Sequence, residues 1–193
     1  MMGALSSTDP RIERTRRVVL AATLDELAEL GYGSLTIEGV ARRAGVGKAT
    51  MYRHWAGKLE LVADAMMTLK QQVQPPDTDD HRDRIEGFIG ALAEHLADSR
   101  FSACMPALID ASERDDAVRR MHQASSAARR AILVELLDQA RIAGHLTDDI
   151  DLGLLAETLV GPLFLRRLMS PEPFPAASVP ELVSTVLDPY WRR

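Results

Sequence analysis

Apolar residues recur at intervals of three and four along nearly the whole chain, and no stretch shows the strict alternation of a half-buried strand. That spacing predicts an all-α fold of about nine helices. A first helix from near Arg11 to Leu30 carries Leu20, Leu24, Leu27 and Ala28 on one face, and Gly31 stands where a helix-ending residue is wanted. Thr36 is a good N-cap for a short helix ending near Ala44, Gly45 supplies a tight turn, and a third helix covers about Gly47 to Trp55. A fourth starts near Gly57 and stops before Pro75-Pro76, which cannot continue it. After a polar connector from Gln74 to His81, a fifth helix runs to about Asp98 with Ile85, Phe88, Ile89, Leu92 and Leu96 spaced for burial. A short helix around Pro106 to Ala111 precedes a long one from about Arg114 to Ala143. Along it Val118, Met121, Ser125, Ala128, Ile132 and Leu136 form a stripe that Gly144 ends. Two more follow, from about Asp149 to Met169 and from Ser178, where Ser178-Val179-Pro180-Glu181 has a capping-box pattern.

The formal net charge of −5 is unevenly divided. Residues 1–58 hold nine Lys and Arg against six Asp and Glu, whereas residues 59–193 hold 14 against 22. A basic head of 58 residues on an acidic body of 135 suits nucleic acid contact by the head alone, because phosphate neutralisation depends on local charge. A single cysteine, Cys104, excludes an intramolecular disulfide framework and fits a reducing compartment. No run approaches the roughly 20 apolar residues of a membrane span, and the N-terminus lacks a signal-peptide pattern, so a cytoplasmic protein is expected.

Catalytic and metal chemistry find little support. The five histidines, His54, His81, His95, His122 and His145, show no HxxxH or HExxH spacing. No glycine loop is built to cradle phosphate, and Asp77, Asp79, Asp80 and His81 read as a solvated linker. Neither a cofactor nor a metal is expected, and no enzyme activity. The competing class is a helical enzyme or interaction module that shares only a helix-turn-helix.

That motif lies between Thr36 and Lys58, where two helices of about eight residues are joined by a glycine-containing turn. Ile37, Val40, Ala41, Ala44, Val46 and Met51 can lock the pair from inside, leaving Arg42, Arg43, Lys48, Thr50, Tyr52 and His54 for solvent or DNA. In such motifs the second helix enters the major groove by its N-terminal end. Gly47, Lys48, Ala49 and Thr50 are small or polar enough to approach base edges, while Tyr52 and His54 can donate to phosphates. Lys58, in the first turn of the fourth helix, can hold one more phosphate.

The segment from about Val18 to Val62 closely resembles the DNA-binding domain of the TetR (tetracycline-repressor) family. The resemblance rests on Ala44-Gly45-Val46, then Met51-Tyr52-Arg53-His54-Trp55, then Lys58. It implies DNA contacts at Thr36, Lys48, Thr50, Tyr52, His54 and Lys58, with Trp55 a core residue. Gly47 and Gly57 depart from it, since the family commonly has serine at both places.

One recognition helix buries too little surface for tight specific binding, so two heads on a near-palindromic operator, and hence a homodimer, are expected. The helix from Asp149 to Met169 is apolar on two faces. Leu152, Leu155, Ala156, Leu159 and Leu163 form one stripe; Leu154, Thr158, Gly161, Leu165 and Leu168 form the other. In the last helix Val179, Leu182, Val183, Val186, Leu187 and Tyr190 repeat at threes and fours. The family resemblance implies that the last two helices build the dimer interface, with Leu182, Val183, Val186 and Leu187 joining the second stripe. It also implies a small-molecule inducer pocket, for which Met66, Phe88, Leu92, Phe101, Met105, Met121, His122 and Phe164 are the candidates. The expected organisation is a DNA-binding domain over residues 1–58 and a ligand-binding and dimerisation domain over 59–193.

Overall fold

A computed structural model describes residues 10–70, 73–97 and 99–192. Among them are nine α-helices: α1 (Pro10–Ser34), α2 (Ile37–Ala44), α3 (Lys48–His54), α4 (Lys58–Lys70), α5 (His81–Ala97), α6 (Arg100–Arg114), α7 (Asp116–Ile142), α8 (Leu152–Met169) and α9 (Val179–Leu187). The all-α expectation holds. The last residue given to the fifth helix, Asp98, lies outside the described residues.

Local chemistry explains the head. In α1 the apolar stripe buries Val19, Leu20, Leu24 and Leu27, and Ala28, expected with them, falls past its edge and is exposed. Gly31 leaves helical geometry at φ 75° and ψ 165°, so the residues after it form a separate turn although they continue α1. The Thr36 hydroxyl accepts from the Gly39 amide at 3.0 Å and starts α2. Glu38 in its first turn and Arg42 and Arg43 in its last complement the helix dipole. At Gly45, φ 68° is left-handed, and its amide reaches back to the carbonyls of Ala41 and Arg42. A side chain there would be strained, so the elbow between α2 and α3 requires glycine.

The body departs from expectation in three places. Helix α6 is much longer than a turn around Pro106, because Ser99 caps it and accepts from the Ser102 amide at 3.1 Å, which leaves Pro106 in its interior. In α7 the buried residues are Val118, Leu133, Leu136, Leu137 and Ala140; Ala128 is exposed, so the anticipated stripe holds only at its ends. The Ser178 side chain makes no capping bond, because a 3₁₀ turn over Ala176–Ser178 already leads into α9. Elsewhere the caps are regular: Asp115 accepts from the Ala117 and Val118 amides, and Asp151 from Gly153 and Leu154.

One continuous buried cluster runs from Met51 in the head to Leu187 in α9. Helix α1 packs on α2 within the head, on α4 where it leaves the head, and extensively on α6 of the body. Residues 191 and 192 are tied down where Leu146 pairs with Trp191 as an antiparallel bridge and the Arg192 amide donates to the His145 carbonyl at 2.7 Å. Among the described residues no helix is long and apolar enough to cross a membrane.

Candidate nucleic acid interface and body cavity

Met51 and Trp55 turn inward from α3 and are buried, which forces the rest of that short helix outward. Lys48 is 68% exposed and Tyr52 53% exposed, and Ala49, Arg53 and His54 are exposed with them. Thr50 is half-buried; Thr36 and Gly47 are exposed. Seven of the nine positions expected to meet DNA are thus exposed, Arg43 at the end of α2 among them, and Thr50 and Lys58 are half-buried. Within this face Glu38 is the organising acid. The Tyr52 hydroxyl donates to its carboxylate at 3.1 Å, and the Lys48 ammonium lies 3.8 Å away. Its carboxyl is held below the usual range by a hydrogen bond from its own backbone and then by Tyr52, whose phenol is in turn raised by that bond.

Arg43 belongs to another task. Its guanidinium grips Glu29 through two donors, one at 2.8 Å, and lies 3.2 Å from the buried Glu26, so it fastens α2 onto α1. The bond to Glu29 raises its pKa further still. Lys58 is also engaged, donating to the carbonyls of Tyr32 at 2.8 Å and Gly33 at 3.4 Å with its ammonium 4.3 Å from the Tyr32 ring centre. Sequence spacing gives no hint of the third tie: the Trp55 indole donates to Asp64 at 2.9 Å, and Asp64 also pairs with Arg16. Helix α4 is thereby bound to both α1 and α3.

In the body, residues of α5, α6, α7 and α8 line a partly open cavity of about 570 Å³. Of the residues expected to meet a ligand, Phe88, Leu92, Met105, His122 and Phe164 line it. Met66 and Met121 do not; Met66 is buried and Met121 half-buried in ordinary core packing, and the Phe101 side chain lies outside the described residues. The lining also includes Val73, just beyond α4, together with His95, Ser126 and Arg129, which apolar periodicity could not identify. Burial, and then the charge of Arg129, hold the imidazoles of His95 and His122 below their ordinary pKa.

The second stripe of α8 lies on the outside. Leu154 and Leu165 are each 62% exposed, and Thr158, Gly161 and Leu168 are exposed beside them. In α9 the pattern splits: Leu182 and Val186 are half-buried, but Val183 and Leu187 turn fully into the core of the same chain and offer no area to a partner. The Cys104 thiol donates to the Leu24 carbonyl at 3.3 Å, and burial pushes its pKa up to about 11, which makes it a packing residue rather than a nucleophile. No cluster of three or more His, Cys, Asp or Glu among the described residues is placed to hold a metal.

Known proteins match both parts. Residues 19–65 match the bacterial regulatory proteins of the tetR family, and residues 75–186 match the tetracyclin repressor-like C-terminal domain. An HTH-type transcriptional regulator of Mycobacterium tuberculosis is 32% identical over 197 residues, covering 98% of this chain and 96% of its own. The regulator YdeS of Bacillus subtilis is 28% identical over 176 residues, covering 90% of this chain and 88% of its own. Among solved structures, the TetR family transcription regulator SCO0332 is 31% identical with a TM-score of 0.70 over 91% of this chain and 97% of that one. A transcriptional regulator from Pseudomonas aeruginosa PAO1 is 26% identical with a TM-score of 0.73, over 95% and 92%.

Proposed function

Because the chain belongs to the TetR family and is a helix-turn-helix transcriptional regulator, we propose that it is a repressor. In this reading it binds a near-palindromic operator as a homodimer and lets go when a small molecule fills the body cavity. The observation that carries this is the outward α3: Met51 and Trp55 anchor it while Lys48, Tyr52 and His54 stand on the surface. A helix fixed that way can enter a major groove whole, with Gly47, Lys48, Ala49 and Thr50 toward the bases. Tyr52, His54, the Thr36 cap and the remaining N–H of Lys58 then reach phosphates.

Residues 1–58 form the reading head and 59–193 the ligand-binding and dimerisation body, working in the cytoplasm without catalysis or cofactor. Two heads are held roughly 34–36 Å apart when each dimer covers two half-sites one duplex turn apart. The exposed stripe of α8, with Leu182 and Val186 beside it, joins the two bodies. Helix α4 links the parts, since Asp64 ties it to Trp55 and Arg16 near the head, and Val73 beyond its end lines the cavity. A ligand that favours a different α4 position shifts the population of head spacings by its differential affinity.

Footprinting and salt-dependent gel shifts on the DNA flanking the gene test this. The expected result is a protected near-palindrome, with affinity falling steeply as salt rises and lost in Lys48→Ala while the dimer persists. Protection unaffected by Lys48→Ala and Tyr52→Ala together would remove α3 from the interface.

A further inference from the structure

Resting on the reading of the cavity as the inducer site, we infer that its ligand is a phenol, a mostly apolar molecule whose ring hydroxyl donates to the imidazole of His122. The polar groups of the cavity wall are not equally available. Arg130 reaches outward to Glu157 at 2.5 Å, both side chains being more than half exposed, so its charge is answered at the surface. Arg129 and His95 are already engaged within the protein, and the Ser126 hydroxyl accepts from Arg129 at 3.3 Å. Gln123 is exposed at the open side of the cavity and meets water there. His122 is different. It is half-buried, and what acts on its ring is burial and the charge of Arg129, with no hydrogen bond from a described residue. Among the described residues no buried side-chain nitrogen or oxygen lacks a partner. The unbonded ring nitrogens of His122 are therefore not sealed in; they stand where a small molecule can reach them, in a residue that lines the cavity.

Burial, and then the charge of Arg129, hold this imidazole below its ordinary pKa, so near pH 7 it is neutral, with one N–H and one bare nitrogen. The bare nitrogen sets the ligand class. Both arginines of the wall can only donate, and no Asp or Glu lines the cavity among the described residues. A ligand that merely accepts finds donors around the wall, but one that donates from inside finds its acceptor at His122. A phenolic hydroxyl is a strong donor that stays uncharged near pH 7, since its ordinary pKa is about 10. The apolar wall suits the rest of such a molecule. Phe88, Phe164 and Met105 are side chains against which an aromatic ring packs favourably, and about 570 Å³ is the size of a pocket for a drug-sized molecule.

Calorimetric titration of the full chain with para-hexylphenol, para-hexylanisole and hexylbenzene tests the inference, because the three share a ring and a tail and only the first can donate. The phenol should bind about fivefold more tightly than either of the others. His122→Phe, which keeps a ring and removes both nitrogens, should bring the phenol to within about twofold of the anisole while leaving anisole binding unchanged. Arg130→Gln should keep the preference, and Val160→Trp, which fills the cavity, should abolish uptake of all three. If His122→Phe melts early, His122→Gln, which retains an acceptor, should hold part of the preference. Equal binding of the three probes, or a phenol preference that survives His122→Phe, overturns the ligand class. Release of a bound DNA fragment, followed in the same samples by anisotropy, separates the two claims. Equal binding with release sinks the phenol while sparing the inducer site; phenol-selective uptake without release upholds the phenol and sinks the inducer site; no binding by any probe sinks both.

Discussion

The Arg167 guanidinium of α8 donates to the Ser102 carbonyl of α6 at 2.6 Å. That carbonyl lies four residues before Pro106, so the proline, lacking an N–H, leaves it without its helical donor. Arg167 also donates to the Ser102 hydroxyl, which itself donates to the Leu96 carbonyl at 2.7 Å. A break in one helix has thus become a joint between α5, α6 and α8.

Removing the arginine side of this joint should therefore cost more than a surface contact. Arg167→Met is expected to destabilise the protein by about 1–3 kcal/mol, the cost of leaving a buried acceptor unpaired. Pro106→Ala in the same chain should recover part of that loss, because an alanine in place of the proline restores the N–H that the Ser102 carbonyl lacks. Urea denaturation of the two single variants and the double variant measures the coupling. Additive losses would mean that Arg167 does not stand in for the missing donor.

At the DNA face, Glu38 holds Tyr52 at 3.1 Å and Lys48 at 3.8 Å, so a negative charge sits among groups proposed to meet phosphate. Glu38→Gln keeps an acceptor for Tyr52 and removes the charge. Operator affinity should rise a few-fold, most at low salt, where screening is weakest. Weaker binding would instead make the carboxylate a base-reading group, accepting from cytosine.

The head can be read from sequence because its signals are local. Thr36 caps, Gly45 turns, and Met51 and Trp55 are spaced to face inward, so each feature needs only its neighbours along the chain. Arg43 shows where that reading stops: its basic character suggests DNA, but Glu26 and Glu29 on α1 claim it, and only tertiary packing brings them together. Pro106 reads as a helix start in the sequence because the donor that replaces its lost bond arrives from α8, 61 residues later. Arg129 and His95 are hidden for a similar reason. A charged residue on a long helix ordinarily marks a solvated face, and periodicity carries no sign that the face borders a cavity. In α9 the spacing of threes and fours is right, but it cannot divide Val183 and Leu187, which pack inside, from Leu182 and Val186 at the margin.

The cavity histidines give stability a defined pH dependence. Burial, then Arg129, hold His95 and His122 below the ordinary value of 6.5, so the unfolded chain binds their protons more readily than the folded one. Folding stability is therefore undiminished by them above about pH 6.5 and declines as pH falls below it. The lowered carboxyls of Glu29, Glu38 and Asp80 act only at more acid pH, since their ordinary values are 4.5, 4.5 and 3.8. Melting temperature should thus drop between pH 7 and pH 5.5, and His95→Gln with His122→Gln should flatten that drop. An equal decline in the double variant would assign the effect elsewhere.

Helix α8 is buried along Leu155, Leu159 and Leu163 and bare along Leu154 and Leu165, so substitutions on its two sides should fail differently. Leu154→Glu with Leu165→Glu replaces side chains that are each 62% exposed in the single chain, and should leave the helical content and melting behaviour of the protomer near normal. In the proposed dimer, each lost leucine withdraws roughly 1–2 kcal/mol of apolar burial per protomer, since part of its surface is already covered within the chain. Sedimentation at micromolar concentration should then show monomers, with operator affinity falling because one head alone must bind. Val183→Glu, at a residue fully buried inside the protomer, should instead reduce folding itself. If the doubly charged α8 variant still sediments as a dimer, the subunits meet through some other surface, and the spacing of the two recognition helices must be set there.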